Sequence, residues 1–358
     1  MRAFWALCVY CLLSGTAIAA KGDNTPHQAD SRVLFVNPGF AQESFWHDVD
    51  LYAQAAADAL GLQLEIIHGE RDRLLTRQEL VERLQQSPTP DFVILVNEKG
   101  AGLALLESIT SPQIKVTFAL NDLSSNDKRL VSNIPDWSKR LLPGVFPDNY
   151  HIGFVSAQDL FVKGRGQPGD FLLISGDKTT PASNNREAGA TSFIMQNENT
   201  SLAQRVHGDW SESIAYEQTK ILLNRHDNVR YLWTANDHMA FGAIKAIEEA
   251  NIPIGSDIFV GTINTSNQVL NALAQGEVSS LAGGHFTAVG LSLVKIHHYL
   301  HNEPWPQRTK YNLFQPVLYP SEFYNILKDK DWQRIDFRKI DIQQNPIDPF
   351  VPKSEELK

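Results

Sequence analysis

Residues 230–264 read RYLWTANDHMAFGAIKAIEEANIPIGSDIFVGTIN. Tyr231, Leu232 and Trp233 form a short run of β-formers, closed by a polar turn over 234–237. Met239, Ala240, Ala243, Ile244 and Ile247 then recur at helical spacing. Asn251 and Pro253 end that helix, and Ile258, Phe259, Val260 and Gly261 predict a second buried strand. Strand, helix and strand within about 30 residues make a βαβ unit. Its sheet must be parallel and covered on both faces. In such sheets ligands sit beyond the carboxyl ends of the strands, where this unit presents Asn236, Asp237 and Asn264.

The same alternation extends in both directions. Strands are expected at 33–36, 62–67, 92–96 and 114–118, with helices after each of the first three. From 120 to 147 the pattern lapses into Ser, Asn, Asp and Pro, with at most a short helix near Trp137 and Leu141. It resumes with a helix over 150–162, a strand over 171–175, a helix over 186–196, a strand over 201–206 and a helix over 212–224. Beyond Asn264 come a helix (266–274), a strand (279–282), a helix (286–301), an apolar run (311–319) and a helix (321–327). This is a doubly wound α/β pattern in two tandem lobes.

Of the 358 residues, 42% are hydrophobic and 20% charged, a globular balance. Acidic residues outnumber basic ones by 41 to 32, giving a net charge of −9 with no basic run, so no nucleic-acid partner is expected. Residues 1–20 read as a cleaved signal peptide: Arg2, an apolar stretch over 4–13, then small residues ending at Ala20. The mature chain is expected to be soluble and exported. Cys8 and Cys11 both fall within the signal, leaving no thiol for disulfides, metal sites or a nucleophile. His297, His298 and His301 lack the carboxylate of a zinc helix, Gly164-Arg165-Gly166 lacks the lysine of a phosphate loop, and no nucleophile elbow occurs. No catalytic residue, metal or cofactor is assigned.

Four motifs, in order, give the chain a resemblance. A strand leads to a polar loop ending in paired aromatics, Asn37 and then Phe45-Trp46. A glycine after a strand precedes Arg-x-x-Gly, in Gly176, Arg186 and Gly189, with Phe193 nearby. Asn-Asp-x-Met-Ala-x-Gly-Ala-x-x-Ala runs from Asn236 to Ala246, and Val260-Gly261 leads to Asn264. Over 32–327 the chain resembles the type I periplasmic solute-binding proteins, the ribose- and galactose-binding class of bacterial ABC transport. The resemblance implies two doubly wound parallel-sheet, Rossmann-like lobes joined by a three-crossover hinge. It places 32–147 with 286–308 in an N-terminal lobe and 148–282 with 310–330 in a C-terminal lobe. The crossovers are expected at 148–150, at 283–286 and near 309–311, and 331–358 is left as a polar C-terminal tail.

A sugar ring has apolar C–H faces and polar hydroxyl edges, so aromatics cover the faces and multi-donor or acceptor side chains take the edges. By resemblance, Asn37, Phe45 and Trp46 serve the ligand from the first lobe. Phe45 and Trp46 are stacking walls or, on the plainer reading, core at the start of the first helix. Asn121 stands where the family often carries Asp-Arg. Arg186 is expected to open a helix, where the dipole disfavours a cation; a guanidinium aimed at the ligand accounts for it. Asn236 and Asp237 divide capping the next helix and accepting hydroxyl hydrogen bonds. Asn264 occupies a position where the family often has Asp, exchanging a charge for an amide. His285 either touches the ligand or bonds hinge backbone.

The implied function is capture of a small polar ligand, a sugar or sugar-like molecule, between closing lobes. A monomer would deliver it to the membrane permease of an ABC transporter. The alternative output is a periplasmic receptor acting on a membrane sensor kinase or cyclase, similar in layout to the autoinducer-2 receptor. The 120–147 insertion and the tail would give such a partner extra surface. An enzyme on the same fold finds no motif, and lactose-repressor relatives carry DNA-binding helices where this chain has its signal segment.

Overall fold

The computed structural model describes residues 31–353; the signal segment, with Cys8 and Cys11, lies outside them. The first half is built from β1 (Arg32–Asn37), α1 (Ser44–Leu60), β2 (Gln63–His68), α2 (Arg73–Leu84), β3 (Phe92–Leu95), α3 (Gly102–Glu107) and β4 (Lys115–Ala119). Then come α4 (Ser125–Ser132), α5 (Trp137–Arg140) and β5 (Leu141–Pro147). The second half repeats the scheme with α6 (Asn149–Lys163), β6 (Gly169–Ser175), α7 (Pro181–Gln196), β7 (Thr200–His207) and α8 (Glu212–Arg225). It continues through β8 (Val229–Thr234), α9 (Asp237–Glu249), β9 (Phe259–Ile263), α10 (Asn267–Gln275) and β10 (Ser280–Gly283). The chain then adds α11 (Ala288–Leu300), β11 (Lys310–Tyr311), β12 (Gln315–Pro316) and α12 (Glu322–Asp329).

The first sheet has the order β2-β1-β3-β4-β5-β11, all parallel. The second has the order β7-β6-β8-β9-β10-β12, parallel except where β12 runs against β10. The two-lobe, doubly wound architecture is as expected. The βαβ unit forms as read: α9 buries Met239, Ala240, Ala243, Ile244 and Ile247 along one face, and β9 is buried throughout. In each lobe the strand order reverses beside the first strand, and the loops leaving those carboxyl ends face one another.

Four details depart from the sequence reading. The lapse over 120–147 contains β5, LLPGVFP, which pairs with β4 through a register shift between Thr117 and Ala119. Pro143 and Gly144 break the β-former pattern, and a Cβ on Gly144 would lie 2.4 Å from the Phe118 carbonyl oxygen. Second, α7 starts at Pro181, so Arg186 sits in its second turn and does not open it. Third, Lys310 and Tyr311 pair with β5 in the first sheet, so the third crossing falls between β11 and β12.

Fourth, the segment after α12 is packed and largely apolar on its inner side. It returns to the first lobe, where Trp332, Phe337 and Phe350 meet Tyr52 of α1 edge-on at 5.7, 5.2 and 6.2 Å. The Tyr52 hydroxyl donates to the Pro349 carbonyl (2.5 Å), and Trp332 lies 5.3 Å from Phe286 in the second crossing. Asn345 Oδ1 accepts from the Asn312 amide and the Gln343 carbonyl from Arg308 Nη1, both at 2.8 Å, tying the segment to the third crossing. At its start, Lys330 Nζ donates to both oxygens of Asp48 (2.6 Å) in α1 and to the Thr265 carbonyl (3.3 Å) beyond β9. Most apolar residues here stand singly among charged and amide side chains, without helical period, so the stretch reads as polar.

Candidate functional site

Asn37 ends β1 with no exposure to solvent. Its Oδ1 accepts from the Gly39 amide (2.9 Å), and its Nδ2 donates to Asp50 Oδ1 (2.7 Å). The turn it shapes is zipped to the loop after β2: the Gly69 amide donates to the Asn37 carbonyl (2.8 Å) and the Arg71 amide to that of Pro38 (2.7 Å). Glu70 and Arg71 adopt left-handed backbone there, at φ 50° and 62°. Two loops far apart in sequence thus place Glu43 and Arg71 side by side.

Arg71 donates through Nε to Glu43 Oε2 (3.0 Å), through Nη2 to Glu43 Oε1, and through Nη1 to Glu98 Oε1 (2.8 Å). Glu98 Oε2 accepts from Asn121 Nδ2 at 3.3 Å. Burial raises the Glu98 carboxyl against the pull of Arg71. Burial also lowers the Arg71 guanidinium, but the two carboxylates outweigh this and hold it above its ordinary value.

Beside this charged wall stand the aromatics. Phe45 meets Trp46 edge-on at 5.1 Å and stacks on His285 at 4.7 Å; His285 in turn stacks on Phe314 at 4.6 Å. Burial, with the Arg186 charge added, holds His285 well below 6.5, so the ring is neutral and its buried Nδ1 has no partner. The preceding Gly284 has φ 114°, where a Cβ would lie 2.4 Å from the Leu313 carbonyl oxygen; two crossing segments touch there.

In the second lobe Arg186, 4% exposed, donates through Nε to Asn149 Oδ1 (2.9 Å) and through Nη1 to the Ala235 carbonyl (2.7 Å). Its Nη2 has no hydrogen-bond partner among the described residues. Burial pushes the guanidinium down to about 9, against the opposing pull of Glu98 and Asp237, leaving it charged at neutral pH. Asn236 caps α9, its Oδ1 accepting from the Met239 amide at 3.0 Å. Asp237 is fully buried, accepting from Asn264 Nδ2 (2.7 Å), the Ser266 hydroxyl and the His238 amide.

A cavity opens between these walls. The expected Phe45, Trp46, Asn121, Arg186, Asn236, Asn264 and His285 all line it, and Glu43, Arg71, Glu98, Asn149, Thr180 and Trp210 join them. Asn37 and Asp237 do not line it. Asn37 shapes the loop pair, and Asp237 fixes Asn264. Trp210 was hidden in a short loop, where Asp209 and Trp210 take left-handed backbone at φ 50° and 63°. Four lining side chains carry buried polar atoms with no protein partner: Trp46 Nε1, Trp210 Nε1, Thr180 Oγ1 and His285 Nδ1. Buried polar groups are normally satisfied, so the cavity is chemically suited to a polar guest with apolar faces.

A family model described as periplasmic binding protein domain matches residues 33–300. The chain belongs to that family. A solved periplasmic sugar-binding protein from Pseudomonas fluorescens is 30% identical, with a TM-score of 0.78 over 90% of this chain and 98% of that one. The galactofuranose-binding protein YtfQ of Escherichia coli (strain K12) is 24% identical over 249 residues, 68% of this chain and 75% of that protein. The D-apiose import binding protein of Paraburkholderia graminis is 29% identical over 118 residues, 33% of this chain and 37% of that protein. In this periplasmic binding protein the lobes touch across the cleft. The Ala182 amide donates to Asn121 Oδ1 (3.1 Å), and Ser44 Oγ shares a hydrogen bond with His238 Nε2 (3.1 Å). Among the described residues no helix is long and apolar enough to cross a membrane.

Proposed function

We propose that the protein captures a sugar in the cleft between its lobes, in the periplasm, and as a monomer delivers it to a membrane permease for import. The unpaired, buried polar atoms of the lining, set among aromatic rings, carry this reading. Phe45 and the two tryptophans offer flat apolar surface to ring C–H faces, while Arg186, Asn236 and Asn264 offer polar ends to hydroxyls. The likeness to proteins named for sugar binding and for import supports the ligand class and the output.

The test is a thermal-shift panel of neutral aldoses, ketoses and polyols on the purified protein. A ligand bound only by the folded state raises the melting temperature through linkage, by about 2.7 kcal/mol of added stability at a hundred times Kd. At least one sugar should shift the transition and quench or enhance tryptophan fluorescence. A panel without any shift sinks the reading. Delivery is tested by co-purification of the sugar-bound protein with detergent-solubilised permease candidates, where failure to associate counts against import.

A further inference from the structure

The Glu43–Arg71–Glu98 wall goes beyond general sugar capture, although it rests on that reading. Arg71 commits Nε, Nη1 and Nη2 to the two carboxylates, so it acts as a splint between them. A carboxylate has about four acceptor positions and no donor when ionised. Among the described hydrogen bonds, each of the four oxygens accepts only one. The wall therefore presents spare acceptors, rigidly spaced. The opposite lobe presents donors: Arg186 Nη2, Trp210 Nε1 and Asn236 Nδ2.

Charge narrows the guest further. The charged lining residues are Glu43, Glu98, Arg71 and Arg186, two of each sign. A charged ligand would add an unbalanced charge to a site withdrawn from water, which is costly. Arg186 is the natural rival anchor for an acid. Its Nε and Nη1 are already committed to the neutral oxygens of Asn149 and Ala235. What remains is suited to one hydroxyl or ring oxygen, unlike the open fork that grips a carboxylate.

We infer that Glu43 and Glu98 determine specificity, selecting an uncharged ligand that turns adjacent hydroxyls toward them, with Arg71 as their positioning residue. Titration calorimetry at pH 7 tests this with three matched sets: glucose, glucuronate and glucosamine, and the corresponding galactose and mannose sets. At least one neutral sugar should bind, ahead of its acid and its amine by tenfold or more. Glu98→Gln and, separately, Glu43→Gln should weaken that neutral sugar by about tenfold or more, the scale of a hydrogen bond to a charged group. Either variant should also narrow the gap between neutral sugar and acid, a readout that a merely structural role would not move. Arg71→Lys should restore part of the selectivity lost in Arg71→Met. Glu43 is the more accessible of the two carboxylates, so its variant carries the test if Glu98→Gln does not fold. A uronate or amino sugar that binds ahead of its neutral parent overturns the inference. So do folded variants with unchanged affinity and selectivity, which would leave sugar capture standing. Silence of all three sets, neutral sugars included, overturns the inference; only the wider panel of aldoses, ketoses and polyols without any shift overturns sugar capture as well.

Discussion

Asn264 holds φ at 122°, a backbone region that costs a residue with a side chain about 1–3 kcal/mol. The strain brings its amide to Asp237, a carboxylate that can only accept, so Nδ2 must turn inward and Oδ1 is left to the cavity. The site thereby gains a fixed acceptor without a charge. Arg186 supplies the complementary donor, and its pH behaviour follows from its burial. With the guanidinium at about 9 and His285 held well below 6.5, neither group titrates between pH 6 and 8. Sugar affinity should fall above about pH 9, as Arg186 loses its proton. Arg186→Lys should weaken binding by about tenfold or more at pH 7, because a compact ammonium lacks the wide planar fork that spans Asn149, Ala235 and the ligand. Calorimetry of both proteins from pH 6 to 10 checks this; an unchanged Kd for the variant would remove Arg186 from the site. At this scale the sequence was informative where a residue sits in a contiguous motif, as Asn236 and Arg186 do. Glu43, Arg71 and Glu98 come from three loops, and nothing local marks them as neighbours.

Among the elements, α6 and α7 decide where Arg186 sits. They approach so closely that a Cβ on Gly153 would lie 2.0 Å from the Arg186 carbonyl oxygen, and one on Gly189 would lie 2.0 Å from that of Tyr150. This contact of backbone with backbone brings Asn149, at the start of α6, to the guanidinium. Gly153→Ala should therefore push the helices apart, costing about 1–3 kcal/mol in stability and lowering affinity as the Asn149 contact stretches. Urea denaturation and calorimetry of the same variant would show both; full affinity beside lost stability would separate the packing from the site. Helix α9 was legible because its apolar residues keep one period. Strand β5 was not, because Pro143 and Gly144 interrupt its pattern and its pairing comes from β4 and β11. The start of α7 was missed because the residues at 181–185, PASNN, carry no apolar face to extend the helix pattern backwards.

Across the whole molecule, the resemblance implied three crossings, the third set before β11 where the chain crosses after it, and it gave no sign that the final segment returns. Lys330 marks that return, pairing with Asp48 where only 5% of the Asp48 side chain is exposed. Burial raises the Asp48 carboxyl and Lys330 pulls it down. Lys330→Met would strand that carboxylate and should destabilise the protein by about 3 kcal/mol; adding Asp48→Leu should recover part of the loss. Chemical denaturation of the single and double variants measures both, and an unaffected single variant would mean the pair contributes nothing. The segment that follows reaches back to α1 across a sequence separation of 297, from Pro349 to Tyr52. Contacts so distant in sequence slow folding. The consequence is one of timing: α1 is synthesised long before the residues that seat it. Until those residues arrive, Tyr52 and Phe286 lack the rings that cover them, so a chain cut short near residue 330 should expose its damage in the lobe that was begun first.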